Sequence, residues 1–284
     1  MRRVNKKQNA IMKHIHRIVE NLDIHEYHAG TEMSASNLMK AAVSCALADH
    51  DKKTPKDSTP AMLNGTMIHT AIETRDPGAY YVVEPEGINK RTKAGKEELA
   101  EFVEWWSPDK IVVSASQWEM ANRTMEAAWA HPEAKLFLDG AKFERSGFCE
   151  LLGVTLKARP DLDCADFSGD LVDIKSRQLG KAGAEAWLKD FFNYKTYIQA
   201  GLQIKIWREL GYEVRGYYYL LVETEPPYQV NVVGLDDEWI HIAIVQTMTV
   251  IQKWRDWLDA GKPAGYGNNN PLMEVPGWMR NRLE

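Results

Sequence analysis

The stretch of sequence that decides the fold is Arg159-Pro160-Asp161, followed after a short connection by Leu171-Val172-Asp173-Ile174-Lys175. The apolar pair before Asp173 predicts a buried strand, and successive side chains of a strand point to opposite faces of its sheet. Asp173 and Lys175 therefore share one face, while Ile174 points into the core. We expect residues 163–169 to form a hairpin connection, so that antiparallel pairing brings Asp161 beside Asp173.

Paired carboxylates in this arrangement indicate a site for a divalent metal. Mg²⁺ prefers hard oxygen ligands, and Asp161, Asp173 and the backbone carbonyl of Ile174 would supply three. A bound cation lowers the pKa of water and offsets charge on a scissile phosphate. Lys175 lies close enough in sequence to orient or deprotonate that water.

A third carboxylate is expected one strand earlier. Glu144 is the preferred candidate, and Glu150 is its rival. A bare Asp-x-Lys is also common as a charge pair at the end of a strand. The Pro-Asp one hairpin earlier is what favours a metal site over that simpler interpretation.

Around this stretch, the sequence predicts helices first and strands later. Ser34 or Ser36 caps a helix over 34–49, and Thr59-Pro60 begins a second helix that carries His69. Further helices are predicted over 94–106, from Ser116 to about Ala130, from Pro132, over 183–210 and over 236–259; strands are predicted over 141–148, 151–160, 170–175, 214–222 and 228–234. This order lacks a βαβ repeat and predicts an α+β fold with one mixed sheet.

Composition narrows the functional classes. Among 284 residues, 35 Lys and Arg stand against 40 Asp and Glu, which gives a formal net charge of −5. This balance excludes a basic protein that coats nucleic acid, but it allows an enzyme that binds DNA through local basic segments near 1–17, 90–96 and 157–177.

The three cysteines are far apart, which argues against a disulfide framework or zinc ribbon and predicts buried thiols. No apolar run reaches the roughly 18 residues of a membrane span, so we expect a cytoplasmic protein without membrane contact.

Several motifs, taken in order, resemble one family of nucleases. Pro160-Asp161 with Asp173-Ile174-Lys175 resembles the PD-(D/E)xK nuclease signature. Gly65-Thr66-Met67-Ile68-His69 resembles the G-x-x-x-H helix of RecB-like exonucleases. The segments 59–71, 91–96 and 157–161, together with Tyr194-x-x-Tyr197-x-Gln199, are similar to RecE, the exodeoxyribonuclease VIII family. The resemblance runs from about Ser34 to Gly211, with Gln203 where that family's Q-x-x-x-Y helix has Tyr and Ser176 where Thr is common.

This resemblance implies a PD-(D/E)xK (restriction-endonuclease-like) core, with a mixed central sheet flanked by helices and a helical N-terminal part. It implies a phage or prophage type of exonuclease that uses Mg²⁺, with Mn²⁺ as a substitute and room for two metals. Such an enzyme degrades one strand 5′→3′ from double-stranded DNA ends and leaves 3′ overhangs for a RecT-like annealing protein. It also implies a ring-shaped homo-oligomer, a tetramer in preference to a trimer.

The resemblance assigns roles to individual residues. The metal ligands would be Asp161, Asp173, Glu144, His69 and the carbonyl of Ile174; the catalytic set adds Lys175 to these side chains; and the contacts to DNA would come from Ser34, Ser36, Tyr197 and Gln199. Arg159 and Arg177 flank the predicted metal site and are expected to contact phosphate.

We expect a single exonuclease domain over residues 31–260, with its catalytic core at about 141–235. A basic arm or helix over 1–30 precedes it, and a tail over 261–284 follows. Two alternative functions are open at this point. One is a RecB-like nuclease that acts on single-stranded or flap DNA, and the other is a catalytically silent DNA-binding scaffold for recombination.

Overall fold

The computed structural model describes residues 15–54, 59–106 and 110–265. The basic residues of the predicted arm up to position 14, and the predicted tail from 266, lie outside the described residues. The strands are β1 (Arg17–Val19), β2 (Tyr81–Val83), β3 (Ile111–Val113), β4 (Lys142–Phe143), β5 (Ser146–Leu151), β6 (Val154–Ala158), β7 (Leu162–Cys164), β8 (Asp170–Arg177), β9 (Gly216–Glu223) and β10 (Val230–Gly234). The α-helices are α1 (Ile24–Ala29), α2 (Ala35–Val43), α3 (Cys45–Lys53), α4 (Pro60–Thr74), α5 (Lys93–Trp106), α6 (Ala115–Ala130), α7 (Pro132–Leu138), α8 (Ala184–Asn193), α9 (Thr196–Glu209) and α10 (Asp237–Asp259).

The central sheet has five strands in the order β10-β9-β8-β7-β4. β8 pairs with β9 in parallel, and the other neighbours pair antiparallel. The predicted α+β class with a mixed central sheet is therefore confirmed. A single sheet was too simple a prediction, because β1, β5 and β6 form a separate three-stranded sheet and β2 pairs with β3 in another. Pro160 follows β6 and has no N–H to donate to a ladder, which helps the chain leave one sheet and enter the next.

Apolar side chains bury both faces of the central sheet. On one face, Leu171 of β8 joins a cluster that includes Ile198 and Leu202 of α9. On the other face, Ile174 packs with Ile68 and Ile72 of α4. β8, the strand predicted from sequence to carry Asp173 and Lys175, is thus held between α4 and α9, as the alternation of its side chains requires.

Several helix boundaries differ from the predictions, each for a local reason. Ser44 has extended backbone angles and caps α3, so the predicted helix over 34–49 is two helices. Ser114, not Ser116, caps α6, because Ser114 and Gln117 form a capping box. Lys195 adopts a left-handed conformation (φ 56°), which divides the predicted helix over 183–210 into α8 and α9.

Two further expectations concern the cysteines and the membrane. All three cysteines are buried and free, as predicted. Within the described ranges, no helix combines the length and the apolar character needed to cross a membrane.

Candidate functional site

The hairpin formed by β7 and β8 places the first two carboxylates. Leu162 lies opposite Val172 in the antiparallel register, so Asp161 comes directly before the paired part of β7. Its Oδ2 accepts a hydrogen bond from the Ile174 amide at 2.6 Å. The side chain of Asp173 is almost fully buried. The structure therefore brings the two acidic positions of the hairpin together, with the Ile174 backbone between them.

His69 reaches the same place from α4. The helix begins at Pro60, and the Thr59 hydroxyl caps it by accepting from the Met62 amide at 3.2 Å. The imidazole Nδ1 of His69 lies 3.3 Å from Asp161 Oδ1. Ile68 and Ile72, which flank His69 on α4, pack on the sheet. This packing fixes the rotation of α4 and therefore the direction of the His69 ring.

Glu144 supplies the third acidic side chain from the connection between β4 and β5. Its backbone is left-handed (φ 53°), and its amide donates to the Asp161 carbonyl at 3.3 Å. One ligand atom from each of His69, Glu144 and Asp161 lies within 4.8 Å of the other two. Glu150, the rival candidate, is exposed on β5 and is outside this group. A non-glycine residue in the left-handed region is strained, and such strain concentrates at functional sites.

The pKa values in the group reflect burial first and the charges of neighbouring side chains second. Burial, followed by the nearby Asp161 carboxylate, raises the pKa of Glu144 to about 7. Burial likewise raises the pKa of Asp173 to about 6, in spite of Lys175. Burial opposes the charge of Asp161 too, but His69, Lys175 and the Ile174 amide outweigh it and lower the Asp161 pKa. Burial also opposes protonation of His69, but Asp161 overcomes it and raises the His69 pKa to about 9.

A second set of contacts joins Lys175, Asp173 and Gln199. The Lys175 ammonium forms an ion pair with Asp173. Gln199 of α9 bridges the two, because its Nε2 donates to Asp173 Oδ1 at 2.8 Å and its Oε1 accepts from Lys175 Nζ at 3.1 Å. Burial opposes the charge on Lys175, but the carboxylates of Asp173 and Asp161 prevail and raise its pKa. Lys175 is therefore an ammonium at neutral pH in this arrangement.

The donor set fits a divalent cation. His69, once it has released the proton that Asp161 stabilises, offers one imidazole nitrogen, and Glu144 and Asp161 offer two carboxylate oxygens, all within 4.8 Å of one another. The raised pKa values of Glu144 and Asp173 show that buried negative charge is incompletely compensated by the side chains present. A dication placed between the carboxylates would compensate that charge.

The residues predicted to contact DNA have different surroundings. Arg159 has a side chain that is 7 % exposed, donates to Ser146 Oγ and to the Leu22 carbonyl at 2.8 Å each, and lies 3.6 Å from Glu144 Oε2. Arg177 forms an ion pair with Asp190 of α8 and is only 12 % exposed. Both guanidinium groups are thus engaged by the protein itself, and their contact with phosphate stays a prediction.

The remaining predicted DNA contacts lie in two places. Ser34 caps α2 through a capping box with Asn37, and its hydroxyl lies 3.0 Å from that of the exposed Ser36. Tyr197 packs beside Phe191 at 5.9 Å between ring centroids, while Gln199 belongs to the site described above. Contact between DNA and any of these residues stays a prediction.

Two supporting residues were missed from sequence. The Tyr27 ring lies under the Arg159 guanidinium, 4.3 Å from ring centroid to Cζ, and so ties α1 to the site. Gln203 donates to the Arg159 carbonyl at 3.3 Å and accepts from the Tyr217 hydroxyl at 2.7 Å. Gln203 therefore holds the stretch of backbone between β6 and Asp161 in place. Its place one turn after Gln199 on α9 was a signal for this role.

The comparisons with known proteins agree with this fold. Residues 33–267 match the family model described as a PDDEXK-like domain of unknown function (DUF3799). A solved structure from Eubacterium rectale, described as a "putative exonuclease", has the same fold with a TM-score of 0.59 and 12 % identity, over 91 % of this chain and 96 % of that one. No curated protein matches the sequence significantly. With the family model covering most of its length, the chain belongs to the PDDEXK-like family DUF3799, within the PD-(D/E)xK nuclease superfamily.

Proposed function

We propose that the protein is a metal-dependent exodeoxyribonuclease that degrades one strand, 5′→3′, from the ends of double-stranded DNA. The observation that carries the proposal is the convergence of His69, Glu144 and Asp161 on one point beside the Asp173–Lys175 pair. This arrangement joins the motif that resembles the PD-(D/E)xK signature with the histidine of the motif that resembles the G-x-x-x-H helix of RecB-like exonucleases. It also supports the proposal by bringing together side chains that could hold a cation and a lysine that can face a phosphate.

In this proposal His69, Glu144, Asp161 and Asp173 hold the cation, with the Ile174 carbonyl as a further ligand. Mg²⁺, or Mn²⁺ in its place, would supply Lewis-acid activation of water and would offset charge on the scissile phosphate. The group of four side chains leaves open whether one or two ions bind.

Lys175 acts through its ammonium group. An ammonium has three N–H donors, and Asp173 and Gln199 accept from two of them. The third is free to donate to the attacking water or to a phosphate oxygen, which orients the water and stabilises developing negative charge. Gln199 fixes the direction of that donor because it bonds to both members of the pair.

The proposed polarity, product and partners follow from the RecE resemblance. The 3′ single strands left behind would be substrates for a RecT-like annealing protein. A ring-shaped homo-oligomer, a tetramer in preference to a trimer, would let duplex DNA reach the site from inside while the acidic exterior stays free of it.

The test is hydrolysis of end-labelled linear duplex, with label on the 5′ or the 3′ end, by wild type, Asp173→Asn and Lys175→Ala. We expect wild type to release nucleotides from the 5′ end with Mg²⁺ and not with EDTA. Lys175→Ala should lose at least about 100-fold in rate and keep binding to DNA ends. Glu150→Gln, which changes an exposed carboxylate outside the group, is the matched control and should retain full activity.

Other outcomes would select the alternatives. Much faster cleavage of single strands or flaps than of duplex ends would favour the RecB-like activity. Background hydrolysis by wild type and Asp173→Asn alike, with DNA binding retained, would favour the silent scaffold.

A further inference from the structure

A group of exposed apolar side chains lies in the segment that connects β8, which carries Asp173 and Lys175, with α9, which carries Gln199. Leu188 and Phe192 of α8 and the following Tyr194 are 51 %, 63 % and 70 % exposed. Lys189 is exposed among them, and Lys195 is partly exposed beside Tyr194. We call these five residues the aromatic rim. Single exposed apolar residues are ordinary, but a group of them on one short segment usually marks a binding surface.

The rim is anchored to the site at both ends. On the N-terminal side, Arg177 lies two residues after Lys175 on β8, forms an ion pair with Asp190 and stacks over the Trp187 ring at 5.1 Å. On the C-terminal side, α9 begins at Thr196 and reaches Lys175 through Gln199. The rim is therefore tied on both sides to β8, the strand that carries the lysine of the proposed reaction.

The inner face of α8 explains why the rim faces outward. Trp187 and Phe191 are buried, and the Phe191 ring lies 5.8 Å from Tyr219 and 5.1 Å from Trp239. Packing of this face fixes the rotation of the helix. Leu188 and Phe192, one turn apart, therefore share a neighbouring side of the helix, which faces solvent.

The charges around the rings favour an anionic occupant. Lys189 and Lys195 add two positive charges to the rim, Asp190 is paired with Arg177, and the exposed Glu185 one turn before Lys189 is the remaining carboxylate of α8, so the local balance stays positive. Aromatic rings interspersed with lysines are the combination that binds single-stranded nucleic acid, since the rings stack on bases and the lysines attract the backbone.

We propose that the aromatic rim binds unpaired nucleobases of the nucleic-acid strand by stacking on Phe192 and Tyr194, next to the point of cleavage. The proposal rests on the nuclease function proposed above and adds the part of the substrate that the chain recognises. Bases inside a duplex have both faces covered, so the rim would engage a frayed end, an overhang or a displaced strand. The substrate would thus be positioned by its unpaired nucleotides.

The experiment is a two-by-two comparison of rings and bases. Binding of a labelled single strand of mixed sequence, and of an abasic strand of equal length, is measured by fluorescence anisotropy in EDTA for wild type and for Phe192→Ala/Tyr194→Ala. We expect the double variant to bind the normal strand about 5- to 100-fold more weakly for each ring that stacks, and to bind the abasic strand as wild type does. Phe192→Trp should keep the affinity and Phe192→Leu should lose it, which separates stacking from general apolar contact.

The matched control is Phe167→Ala, because Phe167 is 54 % exposed and lies in the turn before β8, at the far end of that strand from Arg177. Thermal unfolding of each variant checks folding. Equal losses on both strands, no loss on either, or no measurable binding by wild type would overturn the proposal. A change in oligomeric state with unchanged binding would also overturn it and would assign the rim to a protein interface. Hydrolysis of duplex by wild type in the same preparation tests the nuclease function separately.

Discussion

Replacing Glu144 by Gln should stabilise the metal-free protein. The pKa of Glu144 rises from 4.5 to about 7, first through burial and then through Asp161. Glu73 adds to the repulsion, while His69 and Arg159 oppose it. The folded protein therefore holds the proton of Glu144 more tightly than the unfolded chain does, and wild type loses stability as the pH rises from about 4.5 to about 7.

The size of the effect follows from the same pKa. Each pKa unit corresponds to about 1.4 kcal/mol, so the rise to about 7 corresponds to about 3 kcal/mol by which the ionised carboxylate opposes folding. The side chain is 32 % exposed, and solvent screening lowers this figure. We expect Glu144→Gln to raise the free energy of unfolding by about 1–3 kcal/mol at pH 8 and by almost nothing at pH 4.

The assay is urea unfolding in EDTA at pH 4 and pH 8, with Glu150→Gln as the control for loss of one carboxylate. The control should stay within about 0.5 kcal/mol of wild type, because Glu150 is exposed. Adding Mg²⁺ should reduce the difference, since wild type gains about 2.7 kcal/mol at a concentration 100 times its dissociation constant and the variant gains less. A Glu144→Gln protein no more stable than wild type at pH 8 in EDTA would refute the reasoning.

Three further predictions address positioning and packing. Gln199→Leu should lower the rate of hydrolysis about 10- to 100-fold, because it removes two hydrogen bonds to charged groups. Stabilisation by Mg²⁺ in melting curves should stay intact, since no proposed ligand is removed, and its loss would contradict this role. Gly201→Ala should cost about 1–3 kcal/mol in urea unfolding, since the added methyl would collide with the backbone of α10. The matched variant Gly65→Ala, whose methyl meets only one side chain at 3.9 Å, should be neutral or stabilising by up to about 1 kcal/mol. A larger loss of stability in Gly65→Ala than in Gly201→Ala would contradict the packing described for these two helices. Asp163→Asn should cost about 1–3 kcal/mol in the same assay, because it removes the 2.8 Å carboxylate partner of the buried Arg145 guanidinium while Asp166 remains at 3.3 Å, and a cost below about 0.5 kcal/mol would show that the pair contributes little.

Local alternation and turn residues were enough to predict β8 and its return to Asp161, but not β7, because residues 163 and 164 were expected in the connection and instead pair with β8. The apolar stretch at Leu171 predicted a buried β8, and the hairpin back to Asp161 follows from the turn around Gly169, whose φ is 83°. The contact between His69 and Asp161 was suggested by family resemblance alone. No periodicity in the sequence relates α4 to a hairpin so far along the chain.

What sequence could not provide was set by tertiary contacts. Arg159 flanks the acidic motif and is predicted to contact phosphate, but the sequence did not show that its donors also bond to Ser146 of β5 and to the Leu22 carbonyl before α1. Lys195 is not a residue that favours the left-handed conformation, so the break between α8 and α9 had no local signal. The bridge made by Gln199 depends on that break, because it sets the rotation of α9 against β8.

The distances along the chain that the site spans have a consequence for folding order. Asp161 meets Ile174 across 13 residues, and Gln199 meets Asp173 across 26. Closing such loops costs little entropy, so these contacts can form early, whereas His69 must wait until α4 has docked from much further away in sequence. The proposed cation site should thus be among the last parts of the molecule to become complete. The time at which metal binding recovers during refolding would then measure when α4 docks on the folded hairpin.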